Sequence, residues 1–524
     1  MKKIIVIVAF SILIIGNGCR KGFLDINNNP NDATVSKPEL VLSTALVNTA
    51  GRVSNPVGQF SFISGWMGYI AISSGFALNT NDFTSYGETS GFGENIWQNE
   101  YDNITDYDYV STSSQQSGKA YYQAISMIMK AYNYQILVDL FNDIPYSEAI
   151  KGTAILHPKY DAAAQIYGDL FHQVDTAMII MKNAISLPDP KADLMFARKF
   201  GFNENPLTPA HFATAKVLWL QFANTFKLRM LERLSEMSAK PSYFATELAI
   251  VANDPNGFLT VDASVNPGYL NSAGKQNPFF AANYAVSGTY TQDFWVANSF
   301  AIAFYQNHSD PRISRVYTTS GGTYVGNSLG IGGVPGNQSG FGPGILASVS
   351  QDAVVMLASE SYFIQAEAAA RGWISGSVAS LFNQGITESF RYLGVPSFST
   401  AATAYYSRAG DTLTNITTRG TVQQKIHAII AQKWIAENCI NVFEPYCDYR
   451  RFINAGTTYP GTTTIQRPLG FITVGGPPYG LSRNPNADPQ GIPYRIVYPT
   501  SETNTNAANV PQGVSARSKI FWMP

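Results

Sequence analysis

The pentapeptide Gly326-Asn327-Ser328-Leu329-Gly330 has the G-x-S-x-G spacing of a hydrolase nucleophile elbow, and Asp352, Asp411 and His427 follow it in hydrolase order. Such an elbow works only when a helix begins directly behind the serine, because the first helical amides hold the oxyanion. Here the serine is followed by Leu329 and then Gly330-Ile331-Gly332-Gly333-Val334-Pro335-Gly336, a run too rich in conformational freedom to start a helix. Ser328 is therefore not expected to be a nucleophile, and no catalytic residue is assigned. Gly274-Lys275 lacks both the upstream glycine and the following hydroxyl of a phosphate-binding loop. None of the five histidines stands at helical metal-ligand spacing from another.

Carboxylates and aromatics offer more. Asp25-Ile26-Asn27-Asn28-Asn29 starts like a calcium loop, but Pro30 takes the place of the glycine and Ser36 that of the bidentate glutamate, which leaves a turn. Asp82, Glu88, Glu94, Glu100, Asp102, Asp106 and Asp108 follow one another without an intervening Lys or Arg. They are read as a solvated face, with calcium as the one cofactor such a stretch would suit. In the same region Phe76, Asn79, Asn81, Phe83, Tyr86 and Phe92 interleave rings with side-chain amides, and Asn283, Tyr284, Tyr290, Gln292 and Trp295 repeat the pattern 200 residues on. Sugars need both features: the C–H face of a pyranose rests on a ring while its hydroxyls pair with amides or carboxylates. Both stretches are expected to line one ligand site, presented by loops on a rigid scaffold. Trp97 and Tyr101, at i and i+4, are expected in the core.

The elements that must position these residues are mainly helical. Apolar residues recur at three-and-four spacing over 121–141, 162–185, 210–237, 354–373, 378–393 and 422–443, and each segment is predicted as a helix. Tyr362, Ala366, Phe382 and Gly385 fall at the spacing of the key residues of a tetratricopeptide helix pair. Irregular, Gly-, Asn- and Pro-rich inserts are expected at about 257–344, with one helix at 294–307, and at 456–524. Residues 1–18 read as a signal peptide: Lys2 and Lys3 precede an apolar run too short to span a bilayer, and Gly18 precedes Cys19. Cys19 is then the expected lipidation site, with 19–35 as a tether and 36–524 as a single body. Cys439 and Cys447 are expected as buried thiols. A formal net charge of −1 with 14% charged residues excludes a nucleic-acid binder, and 13% aromatics leave a surplus for ligand faces.

Several stretches in order carry a resemblance: Cys19 with Phe23-Leu24-Asp25-Ile26-Asn27 and Asn29-Pro30-Asn31, then KAYNYQILVDLFNDIPY from Lys130 to Tyr146, AEAAARG from Ala366 to Gly372, QKWIAENCINVFEPYCDYRRF from Gln432 to Phe452, and IPYRIVYPTSE from Ile492 to Glu502. Together they resemble the SusD/RagB family of nutrient-capture lipoproteins, in its SusD-like branch. The resemblance implies a mainly α, tetratricopeptide-like helical repeat scaffold with large irregular loop inserts. It implies a palmitate-bearing outer-membrane lipoprotein facing the cell surface, which binds an oligosaccharide and hands it to a TonB-dependent SusC-like transporter. A peptide-binding RagB-like role is the alternative, and a surface glycoside hydrolase the alternative of another class. Arg450, Arg451, Arg495 and Glu502 are expected to be structural partners within these motifs. Two features depart from the family: Asn142 stands where a glycine is usual, and Arg20 and Lys21 follow Cys19 where exported relatives often carry acids.

Overall fold

The computed structural model describes residues 36–76, 82–89, 91–332, 337–452, 482–488 and 491–524. Among the helices of the described residues, these carry the buried core around which the site is built: α1 Pro38–Val53, α2 Glu94–Gln116, α3 Ala120–Phe141, α4 Ala163–Asn183, α5 Pro209–Arg233, α6 Ala358–Ala370, α7 Val378–Tyr392, α8 Val422–Ala436 and α9 Phe443–Arg451. Sequence neighbours pack together, α1 on α2, α2 on α3, α3 on α4 and α6 on α7. Connections as short as the one between α2 and α3 make such neighbours antiparallel. The ends are chemically marked. Pro38 and Pro209 sit in first turns where no amide partner is lost, Thr208 caps α5 by accepting from His211, and Thr421 with Gln424 forms a capping box at α8. In the α6–α7 pair Phe382 and Ala366 are fully buried, and a Cβ on Gly385 would stand 2.7 Å from the ring of Phe363. Phe363, one residue beyond the expected Tyr362, fills the space that the small residue leaves.

Short strands account for two departures from the helix periodicity and a turn for a third. β1 is Ile70–Ile72, β2 Ile144–Pro145, β3 Tyr160–Asp161, β4 Ala263–Val265, β5 Trp295–Ala297 and β6 Ala353–Met356, paired as β1–β5, β2–β3 and β4–β6. The segment expected as a helix from 354 begins instead as β6, whose Val354 and Val355 favour a strand, and α6 starts only at Ala358. The segment from 294 begins as β5; Asn298 then caps a helix at Ser299–Asn307. The segment from 422 stops at Ala436, because Cys439 turns the chain at φ 58° before α9 begins. Asn142 ends α3 at φ 66°, a conformation that explains the glycine usual there, and its carbonyl oxygen accepts from the Phe521 amide at 2.7 Å. Cys439 and Cys447 are both buried free thiols.

A network of buried charge joins the helices. Arg229 of α5 reaches Glu360 and Glu444 at 3.2 Å, Arg233 pairs with Asp139 at 3.2 Å and with Glu444, and Arg451 holds Glu367 at 2.8 Å and Asp448 at 2.7 Å. The motif residues are partners here, as expected. Arg450 lies over the Tyr446 ring at 3.9 Å and donates to the Tyr494 carbonyl, Arg495 donates to the Phe141 carbonyl, and Glu502 accepts from Tyr160 at 2.8 Å. The C-terminal segment is thereby fastened across the end of α3.

Glu232 and Glu437 share this interior, yet both carboxyl oxygens of each lack a hydrogen-bond partner among the described residues. Burial holds both carboxyls far above their ordinary range, with Glu367 adding to the effect at Glu232 and Glu360 at Glu437. Each therefore stays protonated in the fold while the unfolded chain releases the proton above about pH 4.5. The sign follows: stability is greatest below that value and declines as pH rises through it. Glu437→Gln substitutes a neutral group of the same shape. Its unfolding midpoint is expected to exceed that of the parent at pH 8, with a smaller gap at pH 4.5. Denaturant titrations at both pH values test this, and a gap independent of pH would show that Glu437 is ionised in the fold.

Candidate functional site

The pairing of β1 with β5 brings together the two aromatic stretches. Ile72 stands opposite Trp295 and Ile70 opposite Ala297, and the ladder is extended by the Ser73 amide donating to the Phe294 carbonyl at 2.7 Å. Rings follow the backbone. Phe76 meets Phe294 edge-on at 4.9 Å, and Phe83 meets Trp295 edge-on at 5.7 Å. Beyond β5, residues 283–291 fold back so that Tyr284 and Tyr290 bridge, with their rings 5.2 Å apart. A third strip, 338–341, lies alongside: the Ala297 amide donates to the Ser339 carbonyl at 2.8 Å, and Thr318 and Gly340 exchange two hydrogen bonds at 3.0 Å.

These segments enclose a cleft of about 410 Å³. Its rings are Tyr284, Tyr290, Trp295 and Phe341, and its polar groups are Ser73, Gln292, Asp293, Thr318 and Gln338. Gln292 is anchored through its carbonyl oxygen, which accepts from the amides of Phe294 and Trp295 at 2.7 and 3.1 Å, so its amide nitrogen keeps its donor capacity. Gln338 is fixed by Ser74, to which it donates at 2.5 Å. Tyr290 is 42% exposed, and a Cβ on Gly340 would stand 3.4 Å from its hydroxyl. Its phenol is pushed up to about 12 by partial burial, then by Tyr284 and Asp293, so it is a neutral hydroxyl at physiological pH. A rim of rings with oriented donors and acceptors is what a flat, hydroxyl-bearing ligand requires.

Of the residues expected in the site, Tyr284, Tyr290, Gln292 and Trp295 line this cleft, and Phe76 packs on Phe294. Others are structural. Phe83 is 5% and Tyr86 3% exposed, Asn283 is fully buried with its amide on the Phe279 carbonyl, and Phe92 stacks on Trp66. The Phe83 and Tyr86 rings and the Asn283 amide nitrogen are thus engaged inside the fold, while Phe92 is half-buried. Asn79 and Asn81 lie outside the described residues. Sequence reasoning missed Ser73, Asp293, Thr318, Gln338 and Phe341. Asp293 lies beside Gln292 in the aromatic stretch, while the others come from segments with no ring-and-amide pattern. Trp97 and Tyr101 pack as expected, Trp97 against Phe141 and Tyr498, and they edge a second cleft of about 420 Å³.

The acidic stretch disperses into the scaffold. Glu100 pairs with Arg52 at 3.0 Å, Asp108 with Lys130 at 2.9 Å, and Glu88 accepts from the Val497 amide at 2.9 Å. Among the described residues no group of three or more His, Cys, Asp or Glu is placed to hold a metal, which leaves the calcium reading without a site. Ser328 meets Ser299 at 3.1 Å with no helix behind it, while Asp411 pairs with His308 and Asp352 with Lys199. The G-x-S-x-G spacing builds no triad.

This helical scaffold with a loop-built, ring-lined cleft has the form of a binding protein. Residues 30–461 match the SusD-like family described as "Starch-binding associating with outer membrane", and the chain belongs to that family of non-catalytic, outer-membrane-associated binding proteins. A chitin-binding SusD homologue of Flavobacterium johnsoniae is similar at 21% identity and a TM-score of 0.68, over 92% of this chain and 98% of the other. A SusD-like protein of Bacteroides thetaiotaomicron is similar at 22% identity and TM-score 0.69, over 93% and 99%. An outer-membrane protein of Bacteroides vulgatus, described as involved in nutrient binding, is similar at 20% and 0.69, over 93% and 100%. At these identities the likeness establishes the fold. No match was found among curated proteins.

The burial of Tyr86 has a measurable consequence. Its hydroxyl accepts from the Ser482 amide at 2.6 Å and its ring meets Trp66 edge-on at 6.2 Å. Tyr86→Ala is expected to cost about 3–5 kcal/mol of stability, the range for removing a buried aromatic ring. Chemical denaturation measures this, and a loss under 1 kcal/mol would return Tyr86 to the ligand-facing set.

Proposed function

We propose that this protein captures an oligosaccharide in the cleft beside β5, tethered to the outer membrane by a lipid on Cys19, and hands it to a TonB-dependent SusC-like transporter. The carrying observation is the juxtaposition of Tyr284, Tyr290, Trp295 and Phe341 with Gln292, Gln338, Ser73 and Thr318 around one cavity. Rings supply stacking faces and the neutral side chains supply directional hydrogen bonds, the two contacts a sugar ring makes. Family membership supports capture at the outer membrane, and the chitin-binding relative supports a glycan as the class of ligand. The Gly18–Cys19 junction behind a short apolar run supports the anchor. Among the described residues no helix is long and apolar enough to cross a membrane, so in this reading the acyl chains hold the body at the bilayer.

Tyr290 is the best probe, because it is the most exposed of the cleft's rings. An aromatic contact is worth about 1 kcal/mol, so Tyr290→Ala is expected to weaken glycan binding by roughly fivefold. Its unfolding midpoint should change little. Calorimetry on a panel of glucan and N-acetylglucosamine oligomers provides the measurement. A panel that binds nothing, alongside extended peptides that bind with Tyr290 dependence, would transfer the reading to peptide capture. For the anchor, palmitate labelling of the expressed chain is expected to vanish in Cys19→Ala. Label that persists would remove the anchor from that residue.

A further inference from the structure

The segments that build the cleft are free of cations. Residues 53–118, 276–311 and 316–370 contain no lysine or arginine, although they contribute every residue that lines it. The same segments carry twelve carboxylates, and six are neutralised by cations arriving from elsewhere: Glu100 by Arg52, Asp108 by Lys130, Asp310 by Arg312, Asp352 by Lys199, Glu360 by Arg229, and Glu367 by Arg451. Asp293 is different. It lines the cleft, is exposed, and makes no ion pair among the described residues. The titration of Tyr290 reports the same field, since burial, Tyr284 and Asp293 all raise it and no cation is among its causes.

We infer that the cleft selects uncharged glycans and rejects uronate- or sulfate-bearing ones, with Asp293 as the specificity-determining residue; this rests on the glycan-capture reading above. Recognition of carboxylate, sulfate or phosphate relies on arginine forks or lysine ammonium groups, and among the described residues the cleft offers neither. An anionic sugar entering it would lose hydration, find no counter-charge, and meet the Asp293 carboxylate. A neutral sugar meets a carboxylate that accepts from a hydroxyl, together with the donors of Gln292 and Thr318. Discrimination of this kind comes from a repulsive element as much as from attractive ones.

The experiment compares neutral oligomers (maltohexaose, cellohexaose, N-acetylchitohexaose) with anionic ones (oligogalacturonate, a chondroitin sulfate hexasaccharide) on the wild type and on Asp293→Asn, by calorimetry at two ionic strengths. At least one neutral oligomer is expected to bind, with every anionic one at least tenfold weaker. Asp293→Asn should narrow that gap several-fold, most clearly at low salt where the carboxylate is least screened. An anionic oligomer that binds as tightly as the best neutral one, or a gap unchanged in Asp293→Asn, overturns the specificity while leaving glycan capture in place. Binding of no glycan of either charge removes the capture reading and the specificity with it.

Discussion

Arg229, Arg233, Lys433, Arg450 and Arg451 are carried into the interior where α3, α5, α6, α8 and α9 meet, and each is at most 2% exposed. A buried cation left without a partner is strongly destabilising, on the order of 3–5 kcal/mol when one member of a pair is removed. The helices are thereby constrained to arrive together: Asp139 from α3, Glu360 and Glu367 from α6, and Glu444 and Asp448 from α9 must all be in reach at once. Apolar packing between helices tolerates sliding, but forked guanidinium pairs fix register and orientation. Glu232 and Glu437 show the cost of burying carboxyls there, since desolvation, with Glu367 and Glu360 adding to it, holds both well above their ordinary range.

That constraint reaches the cleft through the strands. Tyr69 precedes β1 and donates to the Trp434 carbonyl of α8 at 2.6 Å, while Trp434 donates back to the Met67 carbonyl at 3.0 Å. Tyr317 donates to the Tyr69 carbonyl at 2.7 Å, and Asn438 just beyond α8 donates to the Tyr317 hydroxyl at 3.0 Å. The loops beside β5 are thus hung from the helical core by buried hydrogen bonds, each expensive to leave unmade. Their irregular backbone holds its cleft because the attachment points are rigid, the usual relation between binding loops and scaffold.

Helix periodicity was legible wherever one side of the element decides its burial, as in α4 and α7. It failed where the element is shaped by partners far away in sequence. β5 and β6 are three- and four-residue apolar runs directly ahead of helices, and their spacing merges with the helical pattern until a pairing strand is known. The same limit governs the site. Ring-and-amide interleaving marked both stretches that the β1–β5 pairing joins, but it does not say which way a ring faces. Phe83 turns inward over Gly65 and against Trp295, and Tyr86 turns inward to Trp66 and the Ser482 amide, whereas Tyr290 stays at the surface. Ser73, Thr318 and Gln338 enter only through the fold, because hydroxyls and amides in glycine-rich loops have no distinguishing spacing.

The partition of charge also bears on how such a site works. Half of the carboxylates in the cleft-forming segments are neutralised within the scaffold and Asp293 is the one that lines the cleft, so the field there is set mainly by Asp293 and by oriented neutral dipoles. Binding through four rings and a few neutral hydrogen bonds, at about 1 kcal/mol each, gives a total in the millimolar-to-micromolar range. For the hand-off to a transporter proposed above, that range is an advantage, because affinity differences between related complexes appear mostly in the rate of release. Long charge-assisted clamps would hold the ligand more tightly and pass it on more slowly. Guanidinium pairs in the helical interior thus fix the scaffold where rigidity is needed, and a cleft built from segments without lysine or arginine offers the proposed ligand no such clamp.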